Sequence, residues 1–193
     1  MKIIEYLKSL KSLNDWEKGF LESVGSQFNR KGDISDRQAE ILEKIRRKYS
    51  PEEAMRREEW KNSYNAEKRE IALVCAKYYL NAGYFGDLAM SIVEDESFVP
   101  TERQFIAMCE NKYAKRVLNI HYQEPKFPVG SLAVIRSSDA AQISQKYKGV
   151  TVAVISHEGV ITSAARDAKP VLVLPVGEST PLLTEERWLK KLR

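Results

Sequence analysis

The sequence predicts an α+β protein, with a helical domain over residues 1–120 and a small antiparallel β domain over residues 127–193. Up to Tyr122, apolar residues recur at steps of three and four, the period of a helix with one buried face. Beyond "QEPKFPVG", a stretch with two prolines and a glycine, they gather instead in short β-branched runs. The 193 residues are enough for one domain or two small ones, and 43% hydrophobic with 30% charged residues excludes a wholly disordered chain.

The elements follow in order. "MKIIEYLKSLKSLNDWEKGF" spreads its lysines through an amphipathic pattern without an uninterrupted apolar core, so it does not read as a secretory signal. Leu13, Trp16, Phe20, Val24 and Phe28 share one helical face, capped by Asn14 or Asp15 and ended at "NRKGD", where Gly32 suits a left-handed turn. A second helix starts at Ser35, with a stripe through Ile41, Leu42, Ile45 and Tyr49. Ser50-Pro51 opens a third, "PEEAMRREEWKNSY", whose dense charge makes it a solvated helix. "AEKREIALVCAKYYLNAG" buries Ile71, Val74, Cys75 and Tyr78 and stops at Gly83, and helices over 86–94 and 102–118 complete the domain. After the boundary, "SLAVIR", "GVTVAVIS" and "KPVLVLPV" read as strands, and "LLTEERWLKKLR" as a short C-terminal helix capped by Thr184. Cys75 and Cys109 lie in apolar helical stretches and read as buried reduced thiols of a cytoplasmic protein, with a disulfide as the alternative.

One formula occurs twice. Ser35-Asp36-Arg37-Gln38 is echoed by Thr101-Glu102-Arg103-Gln104, and with a loop two residues shorter in the second copy, Phe20, Ser23 and Val24 fall on Leu88, Ser91 and Ile92. The match predicts two divergent helical units, over about 13–50 and 84–118, with connecting helices over 51–82. Helix capping accounts for most of the formula. The hydroxyl accepts a hydrogen bond from the third helical N–H, the Gln reaches back to the cap's own N–H, and the acid sits at the positive end of the dipole. Arg37 and Arg103 are left over, either solvated or ion-paired, or projecting from equivalent points to hold a phosphate or an acidic partner.

"DWEKGFLESVGSQFNRKGDISDRQAEILEKI" resembles a short helical module of bacteriophage-encoded proteins, through Trp16, Phe20, Ser23, Gly32, Ile34, Ser35, Arg37 and Gln38. The resemblance implies a phage-type accessory protein of DNA replication, repair or transcription, acting in the host cytoplasm, and it supplies no active site. "FPVGSLAVIRSS…KYKGVTVAVISHEG" resembles the KOW type of SH3-like β-barrel found in transcription-elongation and ribosomal proteins, with Gly130, Lys148-Gly149 and Gly159 at its turns. Val152 stands where that family usually has a second glycine. In such a barrel the loops are the contact surfaces, with Arg136, Lys146 and Lys148 as cations. Tyr147, between two lysines, either stacks on a base while they meet phosphates or packs on the barrel edge while they keep the turn soluble.

The net charge of +4 is unevenly spread: 11 Lys/Arg against 8 Asp/Glu in residues 1–50, 10 against 12 in 51–120, and 10 against 7 in 121–193. Such a balance permits nucleic-acid binding without demanding it. His121 and His157 are isolated and the cysteines lack ligand spacing, so no metal is expected. No phosphate loop, dinucleotide fingerprint or nucleophile elbow occurs, and "EDE" at 94–96 reads either as surface acid before a helix start or as a divalent-cation cluster of a cryptic nuclease. The expectation is a non-enzymatic protein, without catalytic residues or cofactor, that binds nucleic acid or a nucleic-acid-bound machine. The alternative is a protein–protein adaptor or inhibitor of a host polymerase or replication factor. No apolar run approaches the roughly 20 residues of a membrane span, so no membrane partner is expected.

Overall fold

A computed structural model of the chain describes residues 2–10, 12–137 and 143–192. Among them are eight α-helices followed by a five-stranded antiparallel sheet, so the protein is α+β. It divides into two compact units, Met1–Ser63 and Tyr64–Arg193. The change from helix to strand after Tyr122 therefore falls inside the second unit. Among the described residues, no helix is long and apolar enough to cross a membrane.

The first unit holds α1 (Lys2–Lys8), α2 (Asp15–Lys31), α3 (Asp36–Lys48) and α4 (Pro51–Ser63). Its core joins Ile4, Leu7 and Leu13 to Leu21 and Val24 of α2 and to Leu42 and Ile45 of α3. Helix α4 buries none of its residues, as its charge density predicts. One expectation for α2 fails: Trp16 is 63% exposed, and the buried line runs through Glu17, Leu21, Val24 and Gly25. The cause is Glu17, which the rest of the unit draws inward. Its carboxylate accepts from the Asn14 amide at 3.0 Å, Lys48 Nζ at 2.7 Å and the Tyr49 hydroxyl at 2.6 Å. With Glu17 turned in, the neighbouring Trp16 is turned out, where it stacks on Phe20 with ring centroids 5.5 Å apart. Burial acts to raise the Glu17 pKa, but the donors Lys48, Tyr49 and Asn14 outweigh it and hold the carboxyl below its ordinary range.

In the second unit, α5 (Ala66–Ala82), α6 (Gly86–Glu94), α7 (Glu102–Cys109) and α8 (Lys112–Tyr122) precede the sheet. Ala72, Cys75, Ala76, Ile92, Phe105, Met108 and Val117 are buried there. Cys75 and Cys109 are free, and the neighbouring Cys75 together with burial pushes the Cys109 thiol up. The single helix expected over 102–118 is two helices, broken at Glu110 and Asn111. Both echoed formulas form capping boxes of matching geometry. The Ser35 and Thr101 amides donate to Gln38 and Gln104 at 2.9 Å, and the glutamine amides donate back to the hydroxyls at 3.3 Å. Aligned core positions are buried as well: Leu21 and Val24 in α2, Ala89 and Ile92 in α6.

Strands β1 (Leu132–Ile135), β2 (Thr151–Ser156), β3 (Pro170–Pro175), β4 (Leu182–Glu185) and β5 (Leu189–Lys191) lie in the order β4-β3-β2-β1-β5. Ala133, Ile135, Val152, Val154, Val171, Val173 and Leu189 alternate onto one face and close over Phe127. Gly159 bends the β2–β3 connection with φ 154°, and a Cβ there would meet Pro170 Cβ at 2.9 Å. The expected C-terminal helix shrinks to a single 3-10 turn, Glu186–Trp188, between two strands. Leu189 enters the sheet core instead, and β5 pairs with β1 in the register Ile135↔Leu189. That pairing spans more than fifty residues and overrides the local helical signal.

A depressed carboxyl pKa stabilises the fold above its unfolded value, about 4.3 for Glu, and ceases to as pH falls through the folded pKa. Glu17→Gln is expected to cost the first unit about 2 kcal/mol at neutral pH and to flatten its loss of stability below about pH 5. Urea unfolding read by Trp fluorescence across pH checks this, and an unchanged acid limb would contradict it.

Candidate functional site

Helix α8 is fixed at both ends by side chains, its own N-cap at the start and a lysine distant in sequence at the finish. At its start, the Asn111 side-chain oxygen accepts from the Tyr113 and Ala114 amides at 2.9 and 3.1 Å. The Asn111 side-chain nitrogen donates to the Ala107 and Met108 carbonyls at the end of α7, at 2.9 and 3.0 Å. One carboxamide thus ends one helix and begins the next, and the Tyr79 hydroxyl of α5 donates to it at 2.9 Å. At the other end, Lys169 Nζ donates to the Ile120 and His121 carbonyls at 3.0 and 2.8 Å, putting a cation on the negative pole of the helix. Burial pushes the Lys169 ammonium below its ordinary pKa, and the carboxylates of Glu186 and Glu124 act against that. Glu186 is itself buried, accepts from the Lys126 amide at 2.8 Å, and donates its own N–H to the Lys169 carbonyl at 2.9 Å.

Held this way, α8 buries Ala114, Val117 and Ile120. Its other side presents Lys112, Lys115, Arg116, Asn119 and Gln123, all exposed and spaced at helical intervals. The segment Ala164–Asp167 faces Lys115, Arg116, Asn119 and Gln123 across a cleft of about 590 Å³. Asp167 has a left-handed φ of 61°; its carboxylate pairs with Lys126 and its carbonyl accepts from the Arg187 amide at 2.9 Å. The one acid in the cleft is therefore already matched. Lys115 and Arg116 form no ion pair among the described residues, and the Arg166 side chain, 4.0 Å from Asp167, is 93% exposed. Cations and carboxamides on one wall make a surface for an anion, with hydrogen-bonding groups beside the charge. Among the described residues, no group of three His, Cys, Asp or Glu side chains is placed to hold a metal ion.

The residues singled out from the sequence lie elsewhere. Arg37 and Arg103 stand exposed at the second position of α3 and α7, in separate units. Arg136 Nε donates to the Leu189 carbonyl at 2.9 Å and its amide donates to Trp188 at 2.7 Å, so it clips β5 onto β1. Tyr147 packs against the sheet core from the 3-10 turn Gln145–Tyr147. Lys146 Nζ lies 4.3 Å from the Tyr147 ring centroid and 3.8 Å from Glu178, and these two raise its pKa. Lys148 follows in the same turn, half-buried, next to Gly149, whose N–H donates to Ile135 at 3.0 Å. The structure thus brings Lys146, Tyr147 and Lys148 together and gives Tyr147 and Arg136 folding contacts. The α8 stripe was missed because a continuous 102–118 helix sets the wrong phase for its polar face. The spacing in "KYAKRVLNIHYQ" carries the signal once the helix starts at Lys112. Comparison of the chain with protein families, characterised proteins and solved structures found no match.

Lys169→Met is expected to remove both donors from the α8 C-terminus and lower stability by about 2 kcal/mol, with faster amide exchange in the last turn of α8. Denaturation and hydrogen-exchange mass spectrometry check this; exchange in α8 unchanged from wild type would contradict it.

Proposed function

We propose that the chain is a non-enzymatic accessory protein that binds nucleic acid through the exposed face of α8 and the cleft beside it. The observation that carries this reading is the uncompensated pair Lys115 and Arg116, aligned on one helix face with Asn119 and Gln123. Phosphates meet such cations through charge-assisted hydrogen bonds, and the carboxamides have the donors and acceptors that base edges and sugars require. The resemblance of residues 15–45 to a phage helical module supports a place in phage replication, repair or transcription, and the paired capping boxes support its duplication. An SH3-like, KOW-related barrel is the reading we favour for the sheet. The return of β5 to β1 and the 3-10 turn between β4 and β5 support it.

Phosphate contacts release counterions, so affinity is expected to fall steeply between about 50 and 200 mM salt. Lys115→Glu with Arg116→Glu is expected to weaken binding at least about thirtyfold and to reduce the log–log salt slope by about 1.5. Fluorescence anisotropy with labelled oligonucleotides checks both. Affinity within about twofold of wild type would overturn the α8 reading.

A protein–protein adaptor is the second reading, favoured by Trp16, which is 63% exposed and stacked on Phe20. An exposed, ring-supported Trp is the residue type that anchors protein interfaces. A stoichiometric partner that survives nuclease treatment of a host-lysate pull-down, and is lost with Trp16→Ala, would favour it.

A further inference from the structure

We propose that the nucleic acid taken by α8 is single-stranded, with its bases stacked on Tyr113, Tyr84 and Phe85 at the start of that helix. This rests on the reading of α8 as the binding face and adds the class of strand. Tyr113 is 46% exposed on α8 itself, three residues before Arg116, so the two are surface neighbours. Lys112 Nζ lies 4.9 Å from the Tyr113 ring centroid, so a cation and an aromatic face are presented together. The turn between α5 and α6 brings two more rings: Tyr84 is 66% exposed and Phe85 39% exposed.

These rings are tied to α8 by a short relay. Phe85 rests against Tyr79 with centroids 4.9 Å apart, and the Tyr79 hydroxyl donates to Asn111, the residue that starts α8. Phe85 is held at φ 56°, a left-handed conformation that bulky residues seldom adopt. Folding has therefore fixed an aromatic turn at the same end of the helix where the basic stripe begins, while leaving much of its ring surface in water.

Charge decides the occupant. From Tyr113 the stripe continues through Lys115 and Arg116 into the cleft, a run of about 15 Å at 1.5 Å per helical residue. Unstacked bases supply faces for rings, and the connecting phosphates supply anions for the cations; this is the pairing by which single strands are bound. A duplex keeps its bases stacked on one another and offers only grooves and backbone. Asp87 and Glu110, exposed at the same end, repel phosphate and direct the backbone along Lys112, Lys115 and Arg116.

The test is fluorescence anisotropy of the full chain with labelled single-stranded oligo-dT, oligo-U and a duplex, each of about 20 nucleotides or base pairs. Wild type is expected to bind the single strands at least about tenfold more tightly than the duplex, and the dT and U arms separate DNA from RNA. Tyr113→Ala and Tyr84→Ala are each expected to weaken single-strand binding about tenfold while leaving the salt slope and duplex binding in place. Tyr113→Phe is expected to retain binding. Duplex binding equal to single-strand binding would overturn the inference, as would tyrosine variants within about twofold of wild type while Lys115→Glu with Arg116→Glu loses affinity; in that second case the α8 reading stands. Failure of wild type to bind any of the three probes would overturn both. Because both tyrosines are substantially exposed, unchanged circular dichroism and melting are expected for each variant.

Discussion

The placement of the candidate surface depends on one half-buried ammonium. Lys169 sits just before β3, far from α8 in sequence, yet it supplies the donors for the last carbonyls of that helix. Desolvating an ammonium is costly, and the structure offsets the cost with two carbonyl acceptors and the buried Glu186 carboxylate nearby. Ala164–Asp167 is held separately, by the ion pair of Asp167 with Lys126 and by the Asp167 carbonyl, which accepts from the Arg187 amide. The sheet thus acts as more than a neighbouring layer: the connection leading into β3 caps the helix through Lys169 and provides the far wall of the cleft.

A second device recurs at the helix starts: a short polar side chain placed where the backbone needs a partner. Asn14, Ser35, Asn65, Thr101 and Asn111 each accept from an amide of the helix they open. Asn111 has the widest reach, since it also closes α7 and receives Tyr79. In the first unit several cations are matched by an acid. Arg46 and Arg47 beside Glu43 hold its carboxyl down to about 2, and Lys48 is spent on Glu17. A net charge of +4 therefore says little about binding; which cations share a face without a matching acid says more.

What was legible in the sequence is what depends on neighbours three or four residues away. The capping boxes at Ser35 and Thr101, the Gly32 and Gly83 helix ends, the bare surface of α4 and the positions of β1 to β3 all follow from local chemistry. The misses are distant effects. Trp16 is outside because Lys48 and Tyr49, more than thirty residues on, bind Glu17. The C-terminal helix became β5 because β1 offered an edge. The cleft was hidden because its walls come from segments about fifty residues apart, and because Asn111 resets the helical phase of the stripe that lines it. Arg37 and Arg103, which capping leaves unexplained, both stand exposed.

Photo-cross-linking of a 4-thiothymidine-substituted single strand to the full chain, followed by peptide mapping, tests most directly whether α8 is the binding face. Cross-links are expected in the α5–α6 turn at Tyr84 and Phe85 and along residues 112–123. Cross-links confined to the first unit or to the strand turns, or none at all under saturating low-salt conditions, would contradict it.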